Sequence, residues 1–231
     1  MASVELSDAK VLVLGGSGVL GGEIGRKLRE RKAKVALAGR HEGRLRENAV
    51  AIGGIVPTIV ADLTEHDGPR TVVEQAVQLL DGLDGIVNAA GTVAFGNLDH
   101  LDDSVFYELI ASNLTGPIRT IREAAAHMDG GFVVSISGLT AEIPTAGMAA
   151  YSGVKAALSS MTRAIAKELR SKGIHVLDAR PPHTETGLIH RALAGDPPQL
   201  PKGLDPRDVA FTSVDGLEKG RRELAAHDCA A

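Results

Sequence analysis

The chain has 231 residues, of which 44% are hydrophobic, so it is long enough for one domain with a substantial core. Aromatic residues make up 3% and tryptophan is absent, which makes the core aliphatic and disfavours nucleic-acid sites built on stacked rings. The formal net charge of −4 provides no broad basic surface for nucleic acid or an acidic membrane. We therefore expect a globular domain that binds a small molecule, with neither nucleic acid nor a membrane as partner.

Cysteine usage and the N-terminal segment bear on the compartment. Cys229 is the only cysteine, which excludes an internal disulfide and a cysteine metal cluster. The eight histidines show no ligand spacing, so no metal site is expected. The first apolar run, residues 11–14, is far shorter than a signal peptide or a membrane span. These features favour a cytoplasmic protein.

Short aliphatic runs alternate with helix-length amphipathic stretches, a pattern typical of parallel strands joined by crossover helices. Strands are predicted over residues 10–14, 34–38, 55–60, 85–88, 131–136 and 174–179, because each run is apolar on both faces. Helices are predicted over residues 19–32, 43–52, 69–80, 103–128 and 148–172. No repeat or linker divides the sequence, so we expect residues 1–231 to form a single α/β domain.

The amino-acid composition of the chain changes at Pro181. Prolines and glycines are too frequent up to residue 203 for a continuous helix or a central strand. We predict that residues 182–204 form a substrate lid; an ordinary surface connection is the alternative. A helix over residues 205–219 is expected next, with Asp205 as N-cap and Pro206 at the first helical position, and residues 220–224 suit a short edge strand.

A glycine-rich turn follows the first strand and opens a helix. Five glycines lie between Gly15 and Gly22. Backbone amides in such a turn can approach a pyrophosphate because no Cβ intervenes, and the helix N-terminus adds favourable partial charge. The turn therefore predicts a dinucleotide-binding site.

The end of the second strand bears on which dinucleotide is bound. Sites for an unphosphorylated ribose usually place Asp or Glu there. Here the strand ends in Ala38-Gly39-Arg40, and a guanidinium can grip a 2′-phosphate. We predict NADP(H) in preference to NAD(H). The alternative is that Arg40 stacks on adenine or faces solvent.

Tyr151 and Lys155 are four positions apart on the predicted long helix, which places the phenol and the ammonium on one helical face. A nearby positive charge lowers a tyrosine pKa that starts at about 10. The pair therefore predicts a tyrosine that exchanges protons near neutral pH.

The order of these motifs resembles the short-chain dehydrogenase/reductase family over about residues 8–190. The further motifs that carry the resemblance are Asp62-Leu63 after the third strand, Asn88-Ala89-Ala90-Gly91 after the fourth, Asn113 in a helix, and Pro181-Pro182 followed by Thr186 after the sixth. The resemblance implies a Rossmann-type, three-layer α/β/α domain. Its doubly wound parallel sheet would have the strand order 3-2-1-4-5-6, with a short seventh strand at the end.

The resemblance also implies roles for single residues. Tyr151 would exchange a proton with the substrate oxygen, and Lys155 would hold the nicotinamide ribose and lower the pKa of Tyr151. Asn113 would distort its helix and position a water in a proton relay. The residues expected to bind the cofactor are Gly15, Ser17, Gly18, Val19, Leu20, Gly21, Arg40, Asp62, Leu63, Asn88, Ala89, Gly91, Tyr151, Lys155, Pro181 and Thr186.

One departure from the family pattern touches the catalytic centre. Gly138 stands 13 residues before Tyr151, where the family has a serine that holds the substrate carbonyl. A shift of the loop would restore this hydroxyl through Ser137, which we favour as the catalytic candidate. The alternatives are Thr140 and no hydroxyl at all.

Two further departures concern the glycine loop and assembly. Leu14 stands where the family usually has a threonine that braces the loop. Pro182 replaces a usual glycine and the chain ends early, which puts the family's tetramer in doubt. Small residues along the helix over residues 148–172 would let it pack against its copy, so we expect a homodimer or a higher homo-oligomer; packing on its own sheet is the alternative.

Together these features predict an NADP(H)-dependent oxidoreductase that reduces a ketone to a secondary alcohol, or runs the reverse reaction, with Tyr151 as proton donor or acceptor. A cofactor-binding regulator or scaffold without catalysis is the alternative, favoured by Gly138, and a non-redox reaction such as epimerisation or dehydration is a weaker one. The expected pocket positions are apolar, which suggests an apolar carbonyl or alcohol substrate, although core packing explains them equally well; they are Phe95, Met148, Leu188 and Ile189. His183 and Glu185 are polar candidates in the lid.

Overall fold

The computed structural model describes residues 3–230, which form one sheet of seven parallel strands with helices on both faces. The strands are β1 (Lys10–Leu14), β2 (Lys34–Gly39), β3 (Thr58–Val60), β4 (Gly85–Asn88), β5 (Gly131–Ile136), β6 (Ile174–Ala179) and β7 (Glu223–Leu224). Their order in the sheet is β3-β2-β1-β4-β5-β6-β7. The doubly wound topology predicted from the sequence, including the short last strand, is confirmed.

Helices cover both faces of the sheet. Within the described residues they are α1 (Val19–Glu30), α2 (Glu42–Ile52), α3 (Gly68–Leu80), α4 (Asp103–Ile110), α5 (Gly116–Ala126), α6 (Ala149–Glu168) and α7 (Pro206–Glu218). Side chains of a strand alternate between the two faces. Val11 and Val13 of β1 therefore pack with α1, α2 and α7, whereas Leu12 and Leu14 pack with α3, α5 and α6. The result is the expected three-layer arrangement with two aliphatic cores.

The third strand is shorter than predicted. It covers Thr58–Val60 rather than residues 55–60. Pro57 has no N–H to donate to a neighbouring strand, and the side chain of Ile55 lies in solvent, with 90% of the residue exposed. Ile55 is therefore an exposed apolar residue and not part of a buried strand.

The helix predicted over residues 103–128 is interrupted. A π-helical turn, Ala111–Thr115, separates α4 from α5. Pro117 cannot donate to the carbonyl of Asn113, which an uninterrupted α-helix would require. The chain therefore widens at Asn113, a candidate catalytic residue, as π turns frequently do at functional sites.

The helix predicted over residues 148–172 and the C-terminal helix are observed with small changes in length. The former is α6 followed by a 3-10 turn, Leu169–Lys172. The latter begins at Pro206, and the Asp205 carboxylate accepts a hydrogen bond from the Arg207 amide at 2.8 Å. The predicted N-cap is therefore present.

The carboxyl ends of the central strands form one edge of the sheet. Leu14 at the end of β1 pairs with Ala38 of β2 on one side and with Asn88 of β4 on the other. The crossovers leave β1 and β4 in opposite directions, which opens a crevice between the loops that follow them. This crevice is the expected place for a ligand.

The segment predicted as a lid, residues 182–204, is tied to the loop after β4. Its helical content is a 3-10 turn, Leu188–Arg191. The Leu193 amide donates to the Val93 carbonyl at 2.8 Å, and the Phe95 amide donates to the Ala194 carbonyl at 2.9 Å. These bonds hold the segment beside the crevice.

The described residues contain no helix long and apolar enough to cross a bilayer. They also contain no group of three or more His, Cys, Asp or Glu side chains arranged to hold a metal ion.

Candidate active site

A cavity of about 600 Å³ opens at the carboxyl edge of the sheet. Loops after β1, β2, β3, β4, β5 and β6 contribute to its walls, together with the lid segment. The predicted site residues that line it are Gly15, Ser17, Gly18, Val19, Leu20, Gly21, Arg40, Asp62, Leu63, Ala89, Gly91, Asn113, Ser137, Tyr151, Lys155, Pro181 and Thr186. Asn88 is not among the lining residues; it is fully buried at the end of β4, and neither polar atom of its amide has a hydrogen-bond partner.

The glycine loop forms a backbone cradle at one end of the cavity. Gly15 has a φ of +75°, and a Cβ there would lie 2.5 Å from the Ala89 carbonyl oxygen. A Cβ at Gly21 would lie 2.3 Å from the Gly15 carbonyl oxygen. Since α1 begins at Val19, its free amides face the same space. Glycine is therefore required at these two positions because the loop packs closely against the Ala89 backbone and against itself.

Asn48 of α2 braces this loop. Its Nδ2 atom donates to the Gly16 carbonyl at 2.7 Å and to the Gly18 carbonyl at 3.2 Å. Sequence reasoning noted the missing threonine at Leu14 but did not identify Asn48. Asn48 lies three positions after the buried Leu45 and four before Ile52, so a polar residue on the inner face of a helix was the available signal.

Arg40 extends into the cavity from the end of β2. Its Nη1 atom lies 3.5 Å from Glu108 Oε1 and 3.8 Å from Asp62 Oδ2, and nearly half of its side chain is exposed. The Asp62 carboxylate is itself engaged, because its Oδ1 atom accepts from the amide and the hydroxyl of Thr64. Arg40 is therefore only loosely held and can turn towards an anion.

Further positive charge surrounds Arg40. His41 and Arg44 line the same cavity, and so does Arg191 of the lid. Burial and the guanidiniums of Arg44, Arg40 and Arg191 lower the pKa of His41. This end of the cavity therefore has a positive potential that suits a phosphate.

The π turn places Asn113 on the cavity wall. Its Nδ2 atom donates to the carbonyls of Leu109 at 3.0 Å and Thr92 at 3.1 Å, which fixes the amide orientation. Its Oδ1 atom is buried and has no hydrogen-bond partner. A Cβ at Gly91 would lie 2.5 Å from this oxygen and 3.7 Å from Lys155 Nζ. A buried acceptor and a buried ammonium thus lie on the same side of Gly91.

Lys155 is almost fully buried on α6. Its Nζ atom donates to the Ile136 carbonyl at 2.9 Å. Burial lowers the pKa of Lys155 to about 8, and the charge of Asp178 opposes this shift. The lysine therefore still carries its proton at neutral pH.

Tyr151 lies one helical turn before Lys155. Lys155 Nζ is 5.8 Å from the centre of the Tyr151 ring. Burial raises the pKa of the Tyr151 phenol to about 12. The predicted lowering of this pKa by Lys155 is wrong for this structure, in which loss of hydration on burial raises it. The phenol remains protonated at neutral pH.

The two candidate hydroxyls after β5 differ in their hydrogen bonds. Ser137 is fully buried, and its Oγ atom donates to Asp178 Oδ1 at 2.5 Å. Gly138 has a φ of +85°, and a Cβ there would lie 4.0 Å from Thr140 Oγ1. Among the described residues, Thr140 Oγ1 makes no side-chain hydrogen bond, and Thr140 lines the cavity. The geometry therefore favours Thr140 over Ser137 as the hydroxyl available to a ligand.

The residues of the cavity fit a nicotinamide dinucleotide. The glycine-rich loop at the start of α1 suits the pyrophosphate, and the charge at Arg40 suits the adenosine end. The orphan Asn113 Oδ1 and the Lys155 ammonium offer an acceptor and a donor at the other end. Fold and site together define a dinucleotide-dependent oxidoreductase.

Comparison with known proteins agrees with this class. The model of the short chain dehydrogenase family matches residues 9–196. An uncharacterized oxidoreductase of Staphylococcus saprophyticus is 30% identical over 224 residues, which cover 94% of each chain. A solved short-chain dehydrogenase of Burkholderia cenocepacia in complex with NADP is 25% identical, with a TM-score of 0.86 over 98% of this chain and 100% of that one.

A second solved structure shares the fold at lower identity. A 3-ketoacyl-(acyl-carrier-protein) reductase of Brucella melitensis complexed with NADH is 19% identical, with a TM-score of 0.86 over 96% of this chain and 97% of that one. The chain belongs to the short-chain dehydrogenase/reductase family. It is an NAD(P)-dependent oxidoreductase, as the sequence motifs predicted.

Proposed function

We propose that the protein is an NADP(H)-dependent reductase of an apolar ketone, or the dehydrogenase of the corresponding secondary alcohol. The observation that carries this proposal is that the unpartnered Asn113 Oδ1 and the buried Lys155 Nζ both lie near Gly91, in the cavity that Tyr151 also lines. These groups suit a proton-transfer site, and the glycine cradle suits a dinucleotide in the same cavity. The glycine loop would also serve a cofactor-binding regulator, whereas the Asn113 and Lys155 groups beside Tyr151 favour an enzyme.

The residues of the cavity divide the work of the reaction. The bound nicotinamide supplies the hydride for reduction or accepts it for oxidation. Tyr151 gives its phenolic proton to the ketone oxygen as hydride reaches the carbonyl carbon, and takes it back in the reverse direction. Its raised pKa keeps the proton in place at neutral pH. Lys155 offers an ammonium to the developing phenolate, and Asn113 Oδ1 accepts from a water that returns the proton.

The apolar character of the substrate rests on the wall beside Tyr151. Phe95 and Met148 are buried there, and Leu188 and Ile189 of the lid pack against them and against the Tyr151 ring. All four also line the cavity. A charged group at the reacting end would lose hydration without gaining a partner on this wall.

A ketone panel tests the proposed reaction. Purified protein should oxidise NADPH in the presence of aliphatic or aryl ketones, and Tyr151→Phe should lower kcat by about 10³-fold while leaving NADPH binding intact. Binding of NADPH by a wild-type protein that turns over no ketone would instead support the regulator.

The preference for NADP(H) rests on Arg40 and the positive charge around it. The NADP complex of the Burkholderia relative supports it, whereas the Brucella structure holds NADH. Arg40→Ala should raise the KM for NADPH about tenfold or more and change the KM for NADH little, because only the former has the 2′-phosphate. Arg46→Ala is the matched control, since Arg46 is an exposed arginine on the adjoining helix paired with Glu42. Equal effects of Arg40→Ala on both cofactors would contradict the preference.

We further propose a homodimer formed through α4 and α6. Phe106 and Tyr107 of α4 and Met161 of α6 are exposed apolar side chains, 37%, 66% and 40% accessible. Such residues on α6 and the shorter α4 suit a self-complementary interface. Analytical ultracentrifugation should give twice the chain mass, and Met161→Glu should shift the protein towards the monomer.

A further inference from the structure

A network of charged side chains lies behind the cavity wall, outside the catalytic groups. At its centre is Arg180, which follows β6 and has a side chain only 6% exposed. Its Nη1 atom lies 2.8 Å from Asp178 Oδ2, its Nη2 atom 2.7 Å from Glu223 Oε2, and its Nε atom 2.6 Å from Glu142 Oε1. One buried guanidinium therefore lies against three carboxylates from three parts of the chain: it donates hydrogen bonds to Asp178 and Glu223, whereas Glu142 pairs with it by charge alone, without a hydrogen bond from Nε.

The inner carboxylate ties the network to the strands below the site. Asp178 is 1% exposed and also accepts hydrogen bonds from Ser137 Oγ at 2.5 Å and Ser159 Oγ at 2.6 Å. Asp178 thus accepts from three donors. Its buried ion pair with Arg180 is held rigidly, since breaking such a pair leaves an uncompensated charge. The Arg180 amide also donates to the Leu224 carbonyl at 2.8 Å, which fixes its backbone.

The two outer carboxylates, Glu142 and Glu223, belong to different parts of the fold. Glu223 belongs to β7, at the edge of the sheet and away from the cavity. Glu142 belongs to the segment 139–143, which begins as a 3-10 turn and provides Leu139, Thr140 and Ile143 to the cavity wall. The Leu139 amide donates to the Pro181 carbonyl at 2.9 Å, so this segment is attached on the Arg180 side. The Ile143 side chain is 60% exposed and adds little packing to anchor the segment.

We propose that Glu142 and Arg180 are positioning residues, which clamp the segment 139–143 so that the Thr140 hydroxyl and the Ile143 side chain meet the reacting end of the substrate. This proposal rests on the proposed function as a ketone reductase. Glu142 touches neither substrate nor cofactor and acts through the segment. Without the clamp, the segment samples positions in which the Thr140 hydroxyl misses the carbonyl oxygen, and each reaction must first restore it.

A matched pair of variants tests the clamp. Glu142→Gln and Glu223→Gln each remove one outer charge from the same guanidinium at nearly the same distance. Glu223→Gln should lower the melting temperature at least as much as Glu142→Gln, because Glu223 also accepts a hydrogen bond from Arg180 and Glu142 does not. Only Glu142→Gln should raise the KM for a ketone, by about fivefold, which corresponds to the loss of one partly exposed ion pair. The dissociation constant for NADPH should stay unchanged in both variants, because the segment lies on the substrate side.

Hydrogen exchange gives a second readout that needs no substrate. Amides of the segment are hydrogen-bonded, for instance Ile143 to the Leu139 carbonyl at 2.9 Å. The peptide that spans residues 139–143 should exchange about fivefold faster in Glu142→Gln than in the wild type and in Glu223→Gln. Equal exchange in the two variants would overturn the clamp, whether or not a ketone is reduced. A wild type that reduces no ketone, with fast exchange confined to Glu142→Gln, would overturn the proposed function and leave the clamp standing.

Discussion

The Ser137 hydroxyl donates a hydrogen bond to the buried carboxylate of Asp178, with 2.5 Å between Oγ and Oδ1. This bond decides the role of the serine nearest to the position where the family has its catalytic hydroxyl. A carboxylate is a stronger acceptor than a ketone oxygen, so the Ser137 proton is already committed. We therefore propose that the hydroxyl of Thr140, which lines the cavity without such a partner, polarises the carbonyl in place of the expected Ser137.

Removing each hydroxyl in turn separates the two roles. Thr140→Val keeps the shape of the side chain and should lower kcat/KM for a ketone by about 10²-fold, with an unchanged melting temperature, because one donor to the developing oxyanion is lost. Ser137→Ala should instead lower the melting temperature by several degrees, since Asp178 loses a donor, and affect kcat/KM less. Steady-state kinetics and thermal unfolding measure both. The reverse pattern would assign the catalytic hydroxyl to Ser137.

Restoring the family's serine at Gly138 should not help. Gly138 has a φ of +85°, a conformation that side-chain-bearing residues rarely adopt. Gly138→Ser should therefore cost about 1–3 kcal/mol of unfolding free energy through backbone strain, although its Cβ would meet no atom closer than 3.8 Å. Urea unfolding followed by circular dichroism measures the loss. A variant with higher activity and unchanged stability would show that the loop readily adopts another conformation.

Much of the fold could be predicted because its signals are local. Buried parallel strands are apolar on both faces, and runs such as residues 10–14 and 131–136 occur at the predicted bounds. The extension of β3 to Ile55 failed because an exposed isoleucine looks the same as a buried one in sequence. The family resemblance implied a helix distortion at Asn113, but the helical period does not reveal the π turn, because its cause is a combination of Pro117 and contacts to Thr92.

The candidate site was harder to predict where partners are distant in sequence. The spacing of Tyr151 and Lys155 identified the pair, but only burial sets their pKa values, and it reversed the direction expected for Tyr151. Asn48 reaches a loop about thirty positions earlier in the chain, and Arg180 joins Glu142 to Glu223. Such contacts depend on how whole helices and strands pack, so a short sequence motif does not predict them.

Asn48 should prove important for cofactor binding. Asn48→Asp removes the donor that holds the carbonyls of Gly16 and Gly18, and sets a negative charge against them. The glycine loop should then lose its bound geometry, and the dissociation constants for NADPH and NADH should both rise about tenfold, because the pyrophosphate is common to them. Fluorescence titration measures this.

Glu47→Gln, an exposed neighbour on the same helix, serves as the control for Asn48. Its titration should match the wild type. An effect of Asn48→Asp on NADPH alone would place Asn48 at the 2′-phosphate rather than under the pyrophosphate.

The pH dependence of the reaction should follow Lys155. Burial lowers its pKa from 10.5 to about 8, so the ammonium that supports Tyr151 and the cofactor is lost as the pH rises through about 8. The kcat/KM for NADPH, which reports groups of the free enzyme, should therefore fall above this pH. Lys155→Arg keeps the positive charge at all these pH values, so its residual activity should show no such fall.

Loss of folded protein through the titration of Lys155 cannot explain the fall in kcat/KM, because this titration makes the unfolding free energy increase with pH. Between about pH 8 and 10.5 the unfolded chain binds the lysine proton and the folded protein does not, so this group makes the unfolding free energy rise with pH. Thermal melts of the wild type over the same range should therefore show no loss of stability from Lys155 while kcat/KM falls. An identical alkaline limb in the wild type and in Lys155→Arg would assign the titration to another group.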